Sequence, residues 1–266
     1  RVVFSIGPRQ GGRGALYSVR TDGADLRAVY APRALNQDGV IGAAPGAVPS
    51  PGSRLSAYGI NLTADALAAA SRFPLPESLG GVSLLVNGRA APLVAVTPWQ
   101  VNAQLAPEIG EGPVAFQFRF SDGAFAAAGA AQVRTFAPAI FTYAVGVTSQ
   151  GQAAVFHAGS GLPVDAANPA VAGQTVEIYG TGLGPTEPFV AAGTPGPANP
   201  PARTQARPQV LIGNSPATVA FSGLAPGLAG VYQVNAVVPQ GLRPGQHVVR
   251  LRVGSTTSLG FGTITV

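Results

Sequence analysis

The chain has 266 residues, of which 46% are hydrophobic and only 10% charged, and it contains 36 glycines and 25 prolines. This length allows two domains with separate cores, and the composition favours many short strands joined by turns over a helical bundle or a disordered chain. The net charge of +5 comes from scattered single arginines without any lysine, which argues against a nucleic-acid partner. Without cysteine no disulfide can form, and no apolar run approaches the roughly 18 residues of a membrane span.

Residues 1–40 predict a short N-terminal β-hairpin segment followed by a linker. Two apolar runs, VVFSI at 2–6 and ALYSV at 15–19, flank a glycine-rich stretch, and a third run at 26–30 follows an Asp-Gly turn. An isolated hairpin is marginal in water, so this segment must dock on its own chain or on another. The first run has no evident partner nearby, and we therefore predict a self-association strand made of Val2, Val3, Phe4, Ser5 and Ile6.

Residues 41–143 predict a first β-sandwich. The Ala-, Gly- and Pro-rich stretch 32–51 is interpreted as the linker that leads into it, and TADALAAAS at 63–71 predicts a short helix with Thr63 as its N-cap. Alternating or apolar runs then predict strands at 82–86, 91–96, 100–105, 114–120 and 130–136, with Asn87 and Gly88 forming a type I′ turn. Short strands at this spacing are typical of a sandwich.

Residues 144–266 predict a second sandwich that repeats the first. The stretch PGSRLSAYGINL, which contains Tyr58, returns as AGQTVEIYGTGL, which contains Tyr179, and QVNA at 100–103 returns at 233–236. The Gln and Asn of the QVNA motifs are predicted to satisfy backbone groups at edges or loops rather than to bind a ligand. The two copies diverge after the Tyr-Gly pair, where the first has the predicted helix and the second has a Pro-rich loop at 184–207.

Five motifs occur in order between residues 40 and 266: PGSRLSAYGINL, LGGVSLLVNGRAAPLVAVTPWQVNAQLAP, FAPAIFT, NPAVAGQTVEIYGTGLG and FSGLAPGLAGVYQVNAVVP. Together they resemble the uncharacterised C-terminal domain of secreted acidobacterial (Solibacter-type) proteins, and the opening of each repeat is similar to immunoglobulin-like IPT/TIG domains. The resemblance implies an all-β chain of two tandem immunoglobulin-like β-sandwich domains without a described active site. It also implies a secreted, extracellular or cell-surface location, and a start at Arg1 without methionine agrees with a removed leader.

Nothing in the sequence predicts a catalytic, metal or cofactor site. The only histidines, His157 and His247, each lie in a strand-like stretch, and no Gly-x-Ser-x-Gly elbow occurs. Two histidines without cysteines or clustered carboxylates make a poor zinc site, and the eleven acidic residues are too scattered to nominate a glycosidase pair. We therefore predict that the chain is not an enzyme, needs no cofactor or metal, and uses both histidines structurally.

Three residues are candidate contacts with a ligand or partner: Trp99, Phe189 and Arg203. Trp99 is the only tryptophan, and burial in the core is favoured for it at the entry of a strand. If exposed, it would be suited to anchor a partner or stack on a sugar. Phe189 and Arg203 belong to the loop 184–207, which is the natural place for a binding site at the end of the sandwich.

Three functional hypotheses follow. The first is a non-enzymatic extracellular structural protein that self-associates through strand edges as a homo-oligomer, a fibre or a surface layer, because so few charges leave those edges unprotected. The alternative is an adhesion module that binds carbohydrate or another surface protein through loops at the end of a sandwich. A passive spacer within a larger protein is a third, weaker possibility.

Overall fold

The computed structural model describes residues 2–6, 15–24, 27–30, 33–143, 151–260 and 262–266. Within these residues the chain forms 25 β-strands and no helix, so the fold is all-β as predicted. None of the described residues belongs to a helix long and apolar enough to cross a membrane.

The N-terminal segment forms its own antiparallel sheet in the order β1-β2-β3, with β1 at Val2–Ile6, β2 at Ala15–Val19 and β3 at Arg27–Tyr30. The self-association strand was predicted to lack a partner nearby, yet every residue of β1 pairs in register with β2. The outer edges of β1 and β3 pair with no strand in the described part of the chain.

The first sandwich contains nine strands in two sheets of the orders β4-β5-β10-β9-β6 and β12-β11-β7-β8. Its core lies between the sheets, where Leu55 and Val101 of one face Leu84 and Phe118 of the other. These four side chains are almost fully buried because inward and outward positions alternate along each strand. The strands are β4 Ala34–Gly42, β5 Arg54–Ile60, β6 Ala68–Ala69, β7 Val82–Val86, β8 Arg89–Ala90, β9 Leu93–Thr97, β10 Gln100–Gln104, β11 Gly112–Phe120 and β12 Gly129–Val133.

Two predictions for this part of the chain are wrong. The stretch interpreted as a linker contains β4, which pairs with β5 and spans the boundary placed at residue 40. The segment 63–71 is not helical, because a run this short cannot stabilise a helix by itself and the edge of β9 is available to it. Ala68 pairs with Val96 there, and the Thr63 hydroxyl accepts a hydrogen bond from the Asp65 amide in a turn.

The second sandwich is one connected set of strands around a separate core that includes Ile178, Val234 and Leu251. The order of neighbouring strands along its main path is β13-β17-β22-β21-β20-β23-β25-β15-β14. Off this path, β16 pairs with β17, and β19 pairs with both β18 and β21. The strands are β13 Ala139–Ile140, β14 Thr142–Tyr143, β15 Gly151–Ala153, β16 Val155–His157, β17 Thr175–Thr181, β18 Thr186–Glu187, β19 Arg203–Thr204, β20 Gln209–Ile212, β21 Ser215–Leu224, β22 Tyr232–Val237, β23 Gln246–Val253, β24 Thr256–Thr257 and β25 Gly262–Thr265.

Buried hydrogen bonds join the two sandwiches. The Gly182 amide donates to the Ser53 hydroxyl at 3.0 Å. Gln104 spans the junction, since its Nε2 donates to the Gly52 carbonyl at 3.0 Å and its Oε1 accepts from the Gly193 amide at 2.7 Å. Part of the loop 184–207 is therefore fixed against the first sandwich, and the loop also contains the paired strands β18 and β19.

A candidate binding face on the second sandwich

The two repeated motifs come together in the same way in both sandwiches. Gln100 of β10 lies directly opposite Tyr58 of β5, and Gln233 of β22 lies directly opposite Tyr179 of β17. In each copy the Gln Nε2 donates to the Oδ1 of the Asn two residues later, at 2.7 Å in the first and 2.8 Å in the second. In the described part of the chain these side-chain amides donate to other side chains and not to backbone groups, so the prediction that they cap backbone groups is wrong.

The copies differ in what surrounds this Tyr-Gln-Asn patch. In the first sandwich Asn102 lies between two small residues, Ser56 and Ala95. In the second sandwich the equivalent Asn235 lies between Glu177 and Phe221. The second copy has thus gained a carboxylate and an aromatic ring where the first has a hydroxyl and a methyl group.

The pairing register of the second sandwich places further residues beside its patch, on five strands in all. Residues directly opposite each other on paired strands project from the same face of a sheet. One row runs from Tyr179 through Gln233 and Gly223 to Arg203. The neighbouring row runs from Phe156 through Glu177 and Asn235 to Phe221. We call the set the binding face; it comprises Phe156, Glu177, Tyr179, Arg203, Phe221, Gln233 and Asn235. At about 4.8 Å per strand spacing it is roughly 19 Å wide.

An apolar groove of about 440 Å³ lies at the Tyr179 end of the binding face. Phe141, Phe156, Tyr179 and Leu228 line it, and the Phe156 and Tyr179 rings meet edge to face with their centroids 5.6 Å apart. Rings in this arrangement hold each other in place. The groove has the size of a small-ligand site and an aromatic lining with few polar groups, as such sites usually have.

Two charged side chains complete the groove. Arg54 reaches it from the first sandwich and is held by a 2.8 Å hydrogen bond from its Nε to the Ala229 carbonyl. Burial lowers the pKa of Arg54, but a guanidinium stays protonated at neutral pH. Glu177 accepts a long hydrogen bond of 3.4 Å from the Tyr179 hydroxyl. Among the described residues neither the Arg54 Nη atoms nor Glu177 Oε1 has a hydrogen-bond partner, so a donor and an acceptor remain available to a ligand.

Burial is also the main reason that the pKa of Tyr179 is raised, and the charge of Glu177 and its hydrogen bond to the hydroxyl add to the effect. The Tyr179 hydroxyl is therefore neutral over the physiological range and can donate a hydrogen bond. The groove thus offers a neutral hydroxyl, a cation and an anion beside its rings.

The three contact residues predicted from sequence lie on three different elements. Trp99 is in the β9–β10 turn of the first sandwich and 64% exposed, so the expectation that it belongs to the core is wrong. Phe189 is 58% exposed in the loop after β18. Arg203 in β19 is exposed and belongs to the binding face, with its Cζ 5.1 Å from the centre of the Phe221 ring.

Sequence reasoning missed most of the binding face. It recorded Tyr179, Gln233 and Asn235 as repeat motifs but did not nominate them, and it did not single out Phe156, Glu177 or Phe221. The sequence did contain one signal: the Tyr-Gly and QVNA motifs both occur in each copy. Two motifs that recur together in both copies are candidates for neighbouring positions on paired strands.

The described residues contain no group of three or more His, Cys, Asp or Glu side chains placed to hold a metal ion. Both histidines contact backbone carbonyl oxygens, His157 through Asn168 at 3.1 Å and His247 through Arg243 at 2.7 Å. These contacts agree with the structural role predicted for them.

No family model matches the chain, and no curated protein matches it. Among solved structures the chain is similar to the mixed-linkage glucan utilization locus protein SGBP-B of Bacteroides ovatus in complex with a mixed-linkage heptasaccharide, with 14% identity over 95% of this chain and 52% of that chain and a TM-score of 0.37. It is also similar to the Plexin A4 extracellular region, with 13% identity over 97% of this chain and 20% of that chain and a TM-score of 0.31. The D00-D0 domain of Intimin gives 13% identity over 88% of this chain and 98% of that chain, with a TM-score of 0.20.

The chain spans about half the length of the Bacteroides ovatus protein and a fifth of the plexin region. Similarity at these TM-scores carries no argument about function. The resemblance to acidobacterial C-terminal domains and to IPT/TIG repeats stays a prediction.

Proposed function

We propose that the chain is a non-enzymatic extracellular module whose binding face holds a polysaccharide. The observation that carries the proposal is the shared register of aromatic, amide and charged side chains across five strands of one sheet. A surface about 19 Å wide with polar groups along its length suits a linear chain of several sugar rings. The proposal keeps the carbohydrate hypothesis but moves the site from the loops to the sheet.

The chemistry of the groove favours a sugar over other small ligands. A sugar ring has an apolar face of C–H groups, which packs on aromatic rings such as Phe156 and Tyr179. Its hydroxyls donate and accept hydrogen bonds at once, and the groove supplies the matching donor on Arg54 and acceptor on Glu177. A purely apolar ligand would cover the Arg54 Nη atoms and Glu177 Oε1 without giving them a hydrogen-bond partner, which costs free energy.

The groove supports binding rather than hydrolysis. Hydrolysis of a glycosidic bond normally uses a pair of carboxyl groups on opposite sides of the bond. Among the described residues that line the groove, Glu177 is the only carboxylate. We therefore propose a module that holds the polysaccharide unchanged.

The test compares Tyr179→Ala with Tyr58→Ala, its counterpart opposite Gln100 in the first sandwich. The purified chain is screened on a glycan array, and the affinity of each variant for the best neutral or acidic saccharide is measured by titration calorimetry. We expect Tyr179→Ala to weaken binding at least about tenfold, since it removes one wall of the groove, and Tyr58→Ala to leave it unchanged. Circular dichroism checks that both variants stay folded.

Two results would overturn the proposal. The first is an array on which the wild-type chain binds no saccharide. The second is an equal loss of affinity in Tyr58→Ala and Tyr179→Ala, because the site would then not lie on the second sandwich.

Self-association is a second candidate function, supported by the outer edge of β1. A strand that is hydrogen bonded on one side only can add to the sheet of a neighbouring molecule. We expect deletion of residues 1–14 to convert assembled material to folded monomers on size-exclusion chromatography and electron microscopy. Assembly that survives the deletion unchanged would exclude this strand as the link.

A further inference from the structure

A second, cationic cleft of about 310 Å³ lies at the opposite end of the binding face, between β19 and β21. Arg203 and Arg207 line it together with Phe221 and the hydroxyl-bearing residues Thr204 and Ser222. Arg203 and Phe221 belong to the binding face, so a chain lying along the face from the Tyr179 groove reaches this cleft at its far end.

Contacts fix both guanidinium groups but leave most of their N–H groups available. The Arg203 guanidinium lies over the Phe221 ring with its Cζ 5.1 Å from the ring centre, and it donates no hydrogen bond to any residue in the described part of the chain. Arg207 donates through Nη2 alone, to the Val219 carbonyl. Thr204 and Ser222 also border the cleft, and the Thr204 hydroxyl donates to the Ser222 hydroxyl at 2.9 Å.

The positive charge of the cleft is not neutralised within the described part of the chain. No carboxylate lines the cleft, and neither Arg203 nor Arg207 forms an ion pair there. Glu187 lies opposite Arg203 on β18, yet the two side chains do not come within ion-pair distance. A pair of unpaired guanidiniums beside an aromatic ring recognises a planar or tetrahedral oxyanion through parallel N–H bonds.

We propose that this cleft binds an anionic substituent of the polysaccharide, namely the carboxylate of a uronic acid or a sulfate ester. The inference rests on the proposed function and adds a substrate class to it: the module recognises acidic polysaccharides. The Tyr179 groove holds a sugar ring through apolar contact, and the Arg203–Arg207 cleft selects chains that carry charge three strand spacings, or roughly 14 Å, away.

The experiment uses two matched pairs of probes: oligogalacturonides with their methyl esters, and dextran sulfate with dextran. Within each pair the sugar chain is the same and only the charge differs, so the pairs separate carboxylate from sulfate recognition. The variants are Arg203→Gln/Arg207→Gln and, as a control, Arg72→Gln/Arg89→Gln, which removes the same net charge from exposed positions of the first sandwich.

We expect the wild-type chain to prefer the charged member of at least one pair, and Arg203→Gln/Arg207→Gln to lose at least about tenfold in affinity for that member. Affinity for the neutral member should stay unchanged, and the control should retain both. Equal affinity of the wild-type chain for both members of both pairs would overturn the inference. So would an equal loss in the control, since it would reveal attraction by net charge alone.

Failure of the inference and failure of the proposed function look different. If Tyr179→Ala weakens binding of neutral probes while the arginine variant changes nothing, the cleft is not an anion site and the function stands. If Tyr179→Ala binds every probe as tightly as the wild-type chain, the function fails and the inference fails with it.

Discussion

Replacing Gln104 by Ala should be among the most destabilising single changes in this chain. The Gln104 side chain is 2% exposed and bonds one backbone group in each sandwich, the Gly52 carbonyl and the Gly193 amide. Each buried polar group left without a partner costs about 1–3 kcal/mol. A cavity of about 190 Å³ borders Gly52 and Gln104 and has room for a water molecule that would replace one of the lost bonds, so we expect a loss of about 2–4 kcal/mol in the free energy of unfolding.

Urea unfolding followed by circular dichroism measures this loss, because the change in the transition midpoint multiplied by the slope gives the free-energy difference. The control is Gln132→Ala on β12, where an exposed side chain is removed and the change should stay within about 0.5 kcal/mol. Gln104→Glu adds a second check, since its carboxylate can accept from Gly193 but can donate to Gly52 only when protonated. Its stability should rise as the pH falls. Equal stability of Gln104→Ala and Gln132→Ala would refute the reasoning.

Three further predictions concern stability. Burial raises the pKa of Tyr232 to about 12, above its unfolded value near 10, so stability should be fully present below pH 10 and fall as the pH rises towards 12. Tyr232→Phe should flatten that part of a curve of unfolding free energy against pH, and an unchanged curve would assign the loss to other groups. Gly182→Ala should destabilise far more than Gly241→Ala in thermal unfolding: both have positive φ, at 73° and 78°, but a Cβ on Gly182 would meet the Ala137 carbonyl while Gly241 has open space. Trp99→Ala should change the free energy of unfolding in urea by less than about 0.5 kcal/mol, because the ring is exposed. A larger loss would show that the ring packs against the protein more closely than its exposure indicates.

The difference between the two repeats is the basis of the binding experiments. Both sandwiches contain a Tyr-Gln-Asn patch, and the first has small neighbours around it. The second has added Phe156, Glu177 and Phe221 around the same patch. The first patch therefore serves as an internal control for the second.

The sequence by itself determined the fold class, most strands and the tight turns. Alternation of apolar and polar residues is a local property, and it correctly marked strands such as β7, β11 and β22. The Asn87-Gly88 turn also depends on the two residues themselves, which adopt φ of 47° and 80° as a type I′ turn requires. Local propensity failed at 63–71, where the free edge of β9 outweighed the helical preference of alanine.

Only the tertiary structure decided where the candidate site lies. Phe156, Tyr179, Gln233, Phe221 and Arg203 are far apart along the chain and share a face because of the pairing of β16, β17, β22, β21 and β19. The order and register of strands depend on how both faces of every sheet are buried at once, and no local pattern encodes that choice. For the same reason the exposure of Trp99 could not be read from the sequence. The contact between Gln104 and the long loop also depends on how the two sandwiches pack together.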